Sequence, residues 1–334
     1  MLRRTSFEAL TMCIAYPLHL PALMLTVGVT VTWTCAGTAQ EYPVKPVRIV
    51  AIGPGGTVDF AARLIAQGLA AHLGQQVVVE NRPSGVIPGD IVAKSAPDGY
   101  TLLVSGGNHW TLPLLQSAPY DAIKDFAPIS LTNAAPNLLV LHVSLPVKSV
   151  RELIALAKAR PGELNYSSAG TGSTSHLAGA MFNYLAGVNI VRVPYSNGSA
   201  RMAALSGGEM QLEFSTAGSV APYLKSGRLR LIAVTSAAPS ALFPDVPTVA
   251  SSGVAGYETV QMSGLWAPAR TPVAVIDRLN QDIVRYLGTQ AAKDAFMKAG
   301  VETVGSTPEQ FAATIKADVA RLEKVIKAAG IRPD

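Results

Sequence analysis

An apolar run that breaks into glycines and then restarts with helical periodicity constrains this chain more than any other feature: Ile49-Val50-Ala51-Ile52-Gly53-Pro54-Gly55-Gly56-Thr57-Val58-Asp59. It reads as strand, loop, helix. Beyond Asp59, apolar residues recur at Phe60, Leu64, Ile65, Leu69 and Leu73, and Gly74 stands where a left-handed C-terminal cap sits, so the helix has one face to bury. A glycine-rich turn that opens a helix exposes backbone N–H groups at the positive end of the helix dipole, which suits an anion.

Sliding the sequence along itself by 117 positions brings up a second copy, Gly170-Thr171-Gly172-Ser173-Thr174-Ser175-His176-Leu177-Ala178. Gly53 falls on Gly170, Gly55 on Gly172, Thr57 on Thr174 and Ala61 on Ala178, while Asp59 stands opposite His176. A strand from Leu164 to Ser167 precedes this loop, and a helix through Leu177, Met181 and Leu185 follows it, ending at Gly187. Taken singly, each loop is an ordinary strand-to-helix turn. The duplication favours another use, because two such loops facing each other clamp a small anion. Asp59 reads as a helix-start cap and as a ligand contact, and both roles are compatible.

Residues 1–39 have the form of an export signal: Arg3 and Arg4, an apolar stretch over Leu20 to Val31, then small residues Ala36, Gly37 and Ala39. Pro17 and Pro21 interrupt what would otherwise be a candidate membrane anchor. Both cysteines, Cys13 and Cys35, fall in that segment, so the mature chain has no thiol to oxidise. Removing 39 of 334 residues leaves 295, enough for two domains. The 27 basic and 22 acidic residues lose two arginines and one glutamate with the signal, leaving 25 against 21. This mild excess has no basic run with interleaved aromatics, which argues against nucleic acid, and it suits anionic ligands.

After Gly74 come a strand at Gln76 to Val79, a short helix over Asp90 to Ser95, and a strand from Tyr100 to Val104 leading into Ser105-Gly106-Gly107-Asn108. That polar turn, with Ser105 and Asn108, is a third wall of the expected site. Strands alternating with helices predict an α/β protein with parallel sheets and a ligand beyond the strands' carboxyl ends. The pattern continues with a strand at Leu138 to Val143, a helix at Val150 to Ala159, strands at Ile190 to Val193, Met210 to Phe214 and Leu229 to Val234, and helices at Val273 to Leu287, Ala291 to Ala299 and Pro308 to Ala329. The last three helices are expected to cover the first domain.

Several stretches, in order along the chain from Tyr42 to about Ile331, together resemble the extracytoplasmic solute receptors of tripartite tricarboxylate transporters, the Bug-type family. They include Tyr42-Pro43, Gly55-Gly56-Thr57-Val58-Asp59, Val79-Glu80-Asn81-Arg82-Pro83, Ala96-Pro97-Asp98-Gly99-Tyr100-Thr101, Leu164-Asn165-Tyr166, His176-Leu177-Ala178, Val193-Pro194-Tyr195, Phe243-Pro244-Asp245-Val246-Pro247-Thr248 and Leu265-Trp266-Ala267-Pro268. The resemblance implies a two-lobed type II periplasmic-binding-protein fold with the ligand cleft between lobes. Lobe 1 would comprise residues 40–137 and 262–334, and lobe 2 residues 138–261. Carried over by position, a small carboxylate would meet Gly55, Gly56, Thr57 and Asp59 in one lobe and Gly170, Thr171, Gly172, Ser173 and His176 in the other, with Tyr195 and Ser215 completing the set. The implied protein is a periplasmic monomer, without cofactor or metal, that delivers its ligand to membrane transporter subunits.

Three departures from the family pattern stand out: the shortened turn Ser84 to Gly89, Ser196-Asn197 where a Lys-Gly pair is common, and Ser215 where an Asp is usual. Two other readings compete with transport. A ligand-sensing subunit for a membrane signalling protein has the same ligand chemistry. A secreted Ser/His hydrolase built on Ser173, Ser175 and His176 requires an acid partner and an oxyanion site, and the chain lacks a Gly-x-Ser-x-Gly elbow.

Overall fold

Strands that are apolar on both faces need helices above and below them, and the chain meets that need twice. The computed structural model describes residues 42–54, 57–82 and 86–332. The export signal expected over residues 1–39, with both cysteines, and Gly55, Gly56 and Ser84-Gly85 lie outside the described residues. The first part of the chain runs β1 (Val47–Ile52), α1 (Thr57–Leu73), β2 (Val77–Arg82), α2 (Ile87–Ala93), β3 (Thr101–Gly106), α3 (Asn108–Thr111) and β4 (Phe126–Pro136). A second series follows: β5 (Leu138–His142), α4 (Val150–Ala159), β6 (Asn165–Ser168), α5 (Thr174–Ala186), β7 (Val191–Pro194), α6 (Gly198–Ser206), β8 (Leu212–Ser215), α7 (Ala217–Lys225) and β9 (Leu229–Val234). The chain then closes through β10 (Val260–Pro268), α8 (Val273–Leu287), α9 (Gln290–Lys298), β11 (Glu302–Thr303) and α10 (Pro308–Ala328).

Two sheets result, in the orders β11-β4-β10-β3-β1-β2 and β7-β6-β8-β5-β9. Their common pattern places a first strand (β1 or β6) between its second and third, then a strand of opposite direction (β10 or β5), then a fourth (β4 or β9). Only part of each sheet is parallel: β10 runs antiparallel to β3 and β4, and β5 antiparallel to β8 and β9. The expectation of parallel sheets thus holds for β1 with β2 and β3 and for β6 with β7 and β8, and is corrected at β10 and β5. The reversed strands are those entering from the other sheet, and side-chain periodicity says nothing about strand direction. The two crossings lie side by side, with Thr235 N–H donating to the Asn137 carbonyl (3.0 Å) and Thr259 N–H donating to the Thr235 carbonyl (2.9 Å).

Helix α1 buries Ala61, Ile65, Leu69 and Leu73 against the first sheet, while Phe60 stays 38% exposed. The buried stripe therefore starts one residue later than the apolar spacing suggests. Gly74 and Gly187 both adopt left-handed backbone, with φ of 66° and 62°, as the ends of α1 and α5 require. Helix α10 departs from expectation more strongly. Its Phe311 and Ile315 pack with Trp110 and Trp266 beside the first sheet, but Leu322 and Val325 belong to the core of the second, so α10 straps the two together rather than covering one.

Candidate functional site

Both copies of the repeated unit end a strand and open a helix. Helices α1 and α5 begin at Thr57 and Thr174, the two threonines 117 positions apart. Although they start from different sheets, these helix ends line one cleft of about 280 Å³. Its wall also takes Ile52 and Val58, the Gly106-Gly107-Asn108 turn after β3, Asn133 of β4, Ser173, Val260 to Ser263 of β10, and Val301. The Gln261 side-chain amide donates to the Thr174 hydroxyl (3.3 Å), joining β10 to the α5 helix start. Among the described residues no charged side chain lines this cleft.

The expected site residues divide between this wall and its support. Thr57, Asn108 and Ser173 line the cleft. Asp59 does not: only 6% exposed, its carboxylate accepts from Asn81 Nδ2 (2.8 Å) and pairs with Arg63 (3.0 Å), while the same Asn81 amide donates to the Ile52 carbonyl (2.8 Å). An acid in the first turn complements the helix dipole, and here it also ties the end of β1 to the start of α1.

The second loop is held by other means. Ser173 caps α5, its hydroxyl accepting from the His176 N–H (3.3 Å), and the Ser175 hydroxyl accepts from the Ala169 N–H (3.1 Å). His176 is buried, and its ring Nδ1 accepts from the Gly172 N–H (3.2 Å), which commits that nitrogen to the loop rather than to a serine hydroxyl. Gly172 has a φ of 78°, and a Cβ there would stand 2.4 Å from the Leu115 side chain, which comes from the segment after α3. Gly170 has open space around its Cα, and its carbonyl accepts from the Ser173 N–H (3.1 Å). The Thr171 hydroxyl is turned toward the Arg192 guanidinium (2.9 Å).

Three further candidates lie off the main wall. Ser105 lines a smaller adjoining recess of about 50 Å³ with Asn108, His109 and Tyr120. Tyr195 donates its backbone N–H to the Ser168 carbonyl (2.9 Å) at the end of β7. Ser215 is 2% exposed and pairs with Leu138 in the second sheet, beside Glu213. Burial pushes the Glu213 carboxyl up from its ordinary range, opposed by Arg201 and by the hydroxyls of Ser167 and Ser215.

The third wall is braced by aromatic packing. His109 is 3% exposed, stacks on Tyr120 (5.0 Å between centroids) and meets Phe126 edge-on (4.4 Å); burial drives its pKa down to about 3, so the ring is neutral. Next to it, Trp110 donates its indole N–H to Asp318 of α10 (2.7 Å), fixing α3 and the Asn108 that it carries. Sequence reasoning missed Val58, Asn133, Val260 to Ser263 and Val301. Thr174 was visible in the repeat as the counterpart of Thr57, but the residues of β4 and β10 carry no glycine or helix-start signal.

Three comparisons bear on this geometry. The family described as "Tripartite tricarboxylate transporter family receptor" matches residues 61–331. Protein BugT of Bordetella pertussis is 35% identical over 301 residues, covering 88% of this chain and 92% of its own length. Among solved structures, R. palustris Rpa4515 with adipate superposes with a TM-score of 0.74 at 36% identity, covering 88% of this chain and all of that one. The periplasmic binding protein BugD does so with a TM-score of 0.69 at 30% identity, over 88% of this chain and 100% of its own. The fold is thus the two-lobed type II periplasmic-binding-protein fold, with one sheet in each lobe. By the extent of these matches, the chain belongs to the tripartite tricarboxylate transporter receptor family and is a solute-binding receptor rather than an enzyme.

Proposed function

We propose that this receptor captures a small carboxylate between its lobes in the periplasm and delivers it to the membrane subunits of a tripartite tricarboxylate-type transporter. The observation that carries the reading is the meeting of Thr57 and Thr174, first residues of helices from opposite sheets, in one cleft whose described wall has no charged side chain. Each helix end favours a nearby anion by about 0.3–1 kcal/mol, and a hydrogen bond to a charged group contributes about 1.5–3 kcal/mol, so neutral donors suffice to hold a carboxylate. Ile52, Val58, Val260, Met262 and Val301 offer apolar surface to a carbon skeleton. A similar protein was solved with adipate, which has carboxylates at both ends of such a skeleton.

In this reading the direct contacts are Thr57, Asn108, Ser173 and Thr174 with the Gly55-Gly56 amides. Asp59, Gly170, Thr171, Gly172 and His176 act by shaping the two loops. Lobe 1 (residues 40–137 and 262–334) and lobe 2 (138–261) close about the paired crossings at Asn137 and Thr235. Export depends on residues 1–39, and the mature protein acts as a monomer. A thermal-shift screen of mono-, di- and tricarboxylates, amino acids and neutral amides tests the reading. A ligand at 100 times its Kd adds about 2.7 kcal/mol of stability, so a carboxylate that fits raises Tm in a concentration-dependent way. Stabilisation by amides or amino acids alone, or by nothing in the screen, contradicts it.

A further inference from the structure

The second-lobe loop leans on a single side chain. Arg192, on β7, donates from Nε to the Ser168 hydroxyl (2.8 Å), from one Nη to the Thr171 hydroxyl (2.9 Å) and from the other to the Ala169 carbonyl (3.1 Å). The acceptors run from Ser168, the last residue of β6, through Ala169 and Thr171 of the turn that leads to Ser173 and Thr174 of the cleft wall. A planar guanidinium with three divergent donors fixes such a turn as a single ammonium does not.

The charge of this arginine matters as well. Arg201 in the same lobe is neutralised by the buried Glu213 carboxylate (2.6 Å). Arg192, by contrast, has no carboxylate within ion-pair distance among the described residues; its partners are two hydroxyls and a carbonyl, all neutral. An uncompensated cation therefore stands behind a loop whose cleft-facing side is neutral. In a partly desolvated site such a charge acts on an anion without touching it.

We propose that Arg192 is the positioning residue of the carboxylate site: its fork sets the Ser168 to Thr171 turn, and its unpaired charge makes the α5 helix start electropositive. This role rests on the carboxylate reading for its charge half and on the structure alone for its bracing half. A cationic side chain lining the cleft would pair directly with any anion, whatever its shape. A cation behind the backbone instead biases the site toward anions while leaving hydroxyls and amides as the contacts, so ligand shape is still read by neutral groups.

The test compares Arg192→Lys, which keeps the charge but not the fork, with Arg192→Met, which keeps only the stem. Hydrogen exchange on the ligand-free proteins reads the bracing: amides of residues 168–174 are expected to exchange at least about tenfold faster in both variants, while the strands β5 and β8 keep their protection. Calorimetry with adipate, malate, succinate, benzoate and citrate reads the charge. The best of these is expected to bind Arg192→Met about tenfold more weakly than wild type, with Arg192→Lys in between. Unchanged exchange at 168–174 overturns the bracing role, and equal affinities for the Lys and Met variants overturn the charge role. If the wild-type protein binds none of the five, the charge role falls together with the carboxylate reading, while the exchange result still decides the bracing.

Discussion

The two strand-loop-helix units occupy equivalent places in their sheets and start their helices on equivalent threonines, yet they are held by different chemistry. In the first, Asp59 accepts from Asn81 and pairs with Arg63, so charge is balanced within the support. In the second, the aligned position is His176, whose ring accepts from Gly172, and the charge behind the loop belongs to Arg192 and is not balanced. The position two residues into each helix turns inward as a brace, and the first position faces the cleft. The difference teaches that duplication preserves the place of the cleft-facing helix start, where the proposed carboxylate would sit, while each half finds its own way of holding the loop. It also separates residues that shape the site from those that line it.

The largest effect expected from breaking this symmetry is at Gly172. Gly172→Val forces a branched side chain into left-handed backbone and against Leu115. Carboxylate affinity is expected to fall by at least about 100-fold in calorimetry. Gly170→Ala, with open space and no such backbone, serves as the control and should stay within about threefold. A Gly172→Val protein that folds and binds normally would show that the second loop is not part of the site.

The third wall offers a pH test, because packing rather than charge braces it. His109 is held at a pKa of about 3, against about 6.5 for an exposed histidine, so below pH 6.5 the unfolded chain takes up a proton that the native protein does not. Its contribution is fully present above pH 6.5 and is lost as pH falls toward 3. Urea unfolding between pH 7 and 4 should show a loss of up to about 3 kcal/mol from this group, and the slope should shrink in His109→Leu. An unchanged slope in that variant would mean His109 does not govern the acid sensitivity.

Breaking the two braces in turn sharpens the comparison. Asp59→Ala takes one acceptor from Asn81 and the ion-pair partner from Arg63, and His176→Ala strands the Gly172 N–H; each should lower stability by about 1–3 kcal/mol in urea titration, with the exposure of Arg63 keeping its ion pair's share small. If only one of the two is destabilising, the aligned positions are not equivalent braces. The smallest effects belong to the helix-start hydroxyls. Thr57→Val and Thr174→Val each remove one hydrogen-bonding group of nearly the same shape, expected to weaken binding about fivefold each by calorimetry.

Much of the fold was legible in the sequence where elements carry their own boundaries. Helix α4 at Val150–Ala159, strand β9 at Leu229–Val234 and helix α8 at Val273–Leu287 agree with their expected ends, because Pro161-Gly162, Gly227 and Pro272 punctuate them. Strand β4 was not legible. It lies between β10 and β11, buries residues on both faces, and carries Pro128, Thr132 and Asn133, so it shows neither alternation nor a continuous apolar run. For the site, glycines and helix starts pointed to Thr57, Asn108 and Ser173. The β10 residues that complete the wall come from a strand returning across the molecule, and no local pattern announces such a neighbour. Ser215 shows the limit in the other direction, since this strand-end position is buried beside Glu213 and off the cleft wall, which the resemblance alone does not reveal.

The central claim, that two helix starts from opposite lobes hold one carboxylate, is tested most directly by hydrogen exchange with and without a saturating amount of the carboxylate that most raises Tm. Peptides spanning residues 53–60 and 170–177 should gain protection together, over the same ligand concentrations, while the outer helices α4 and α9 do not change. Protection confined to one of the two segments, or absent from both, would contradict the account.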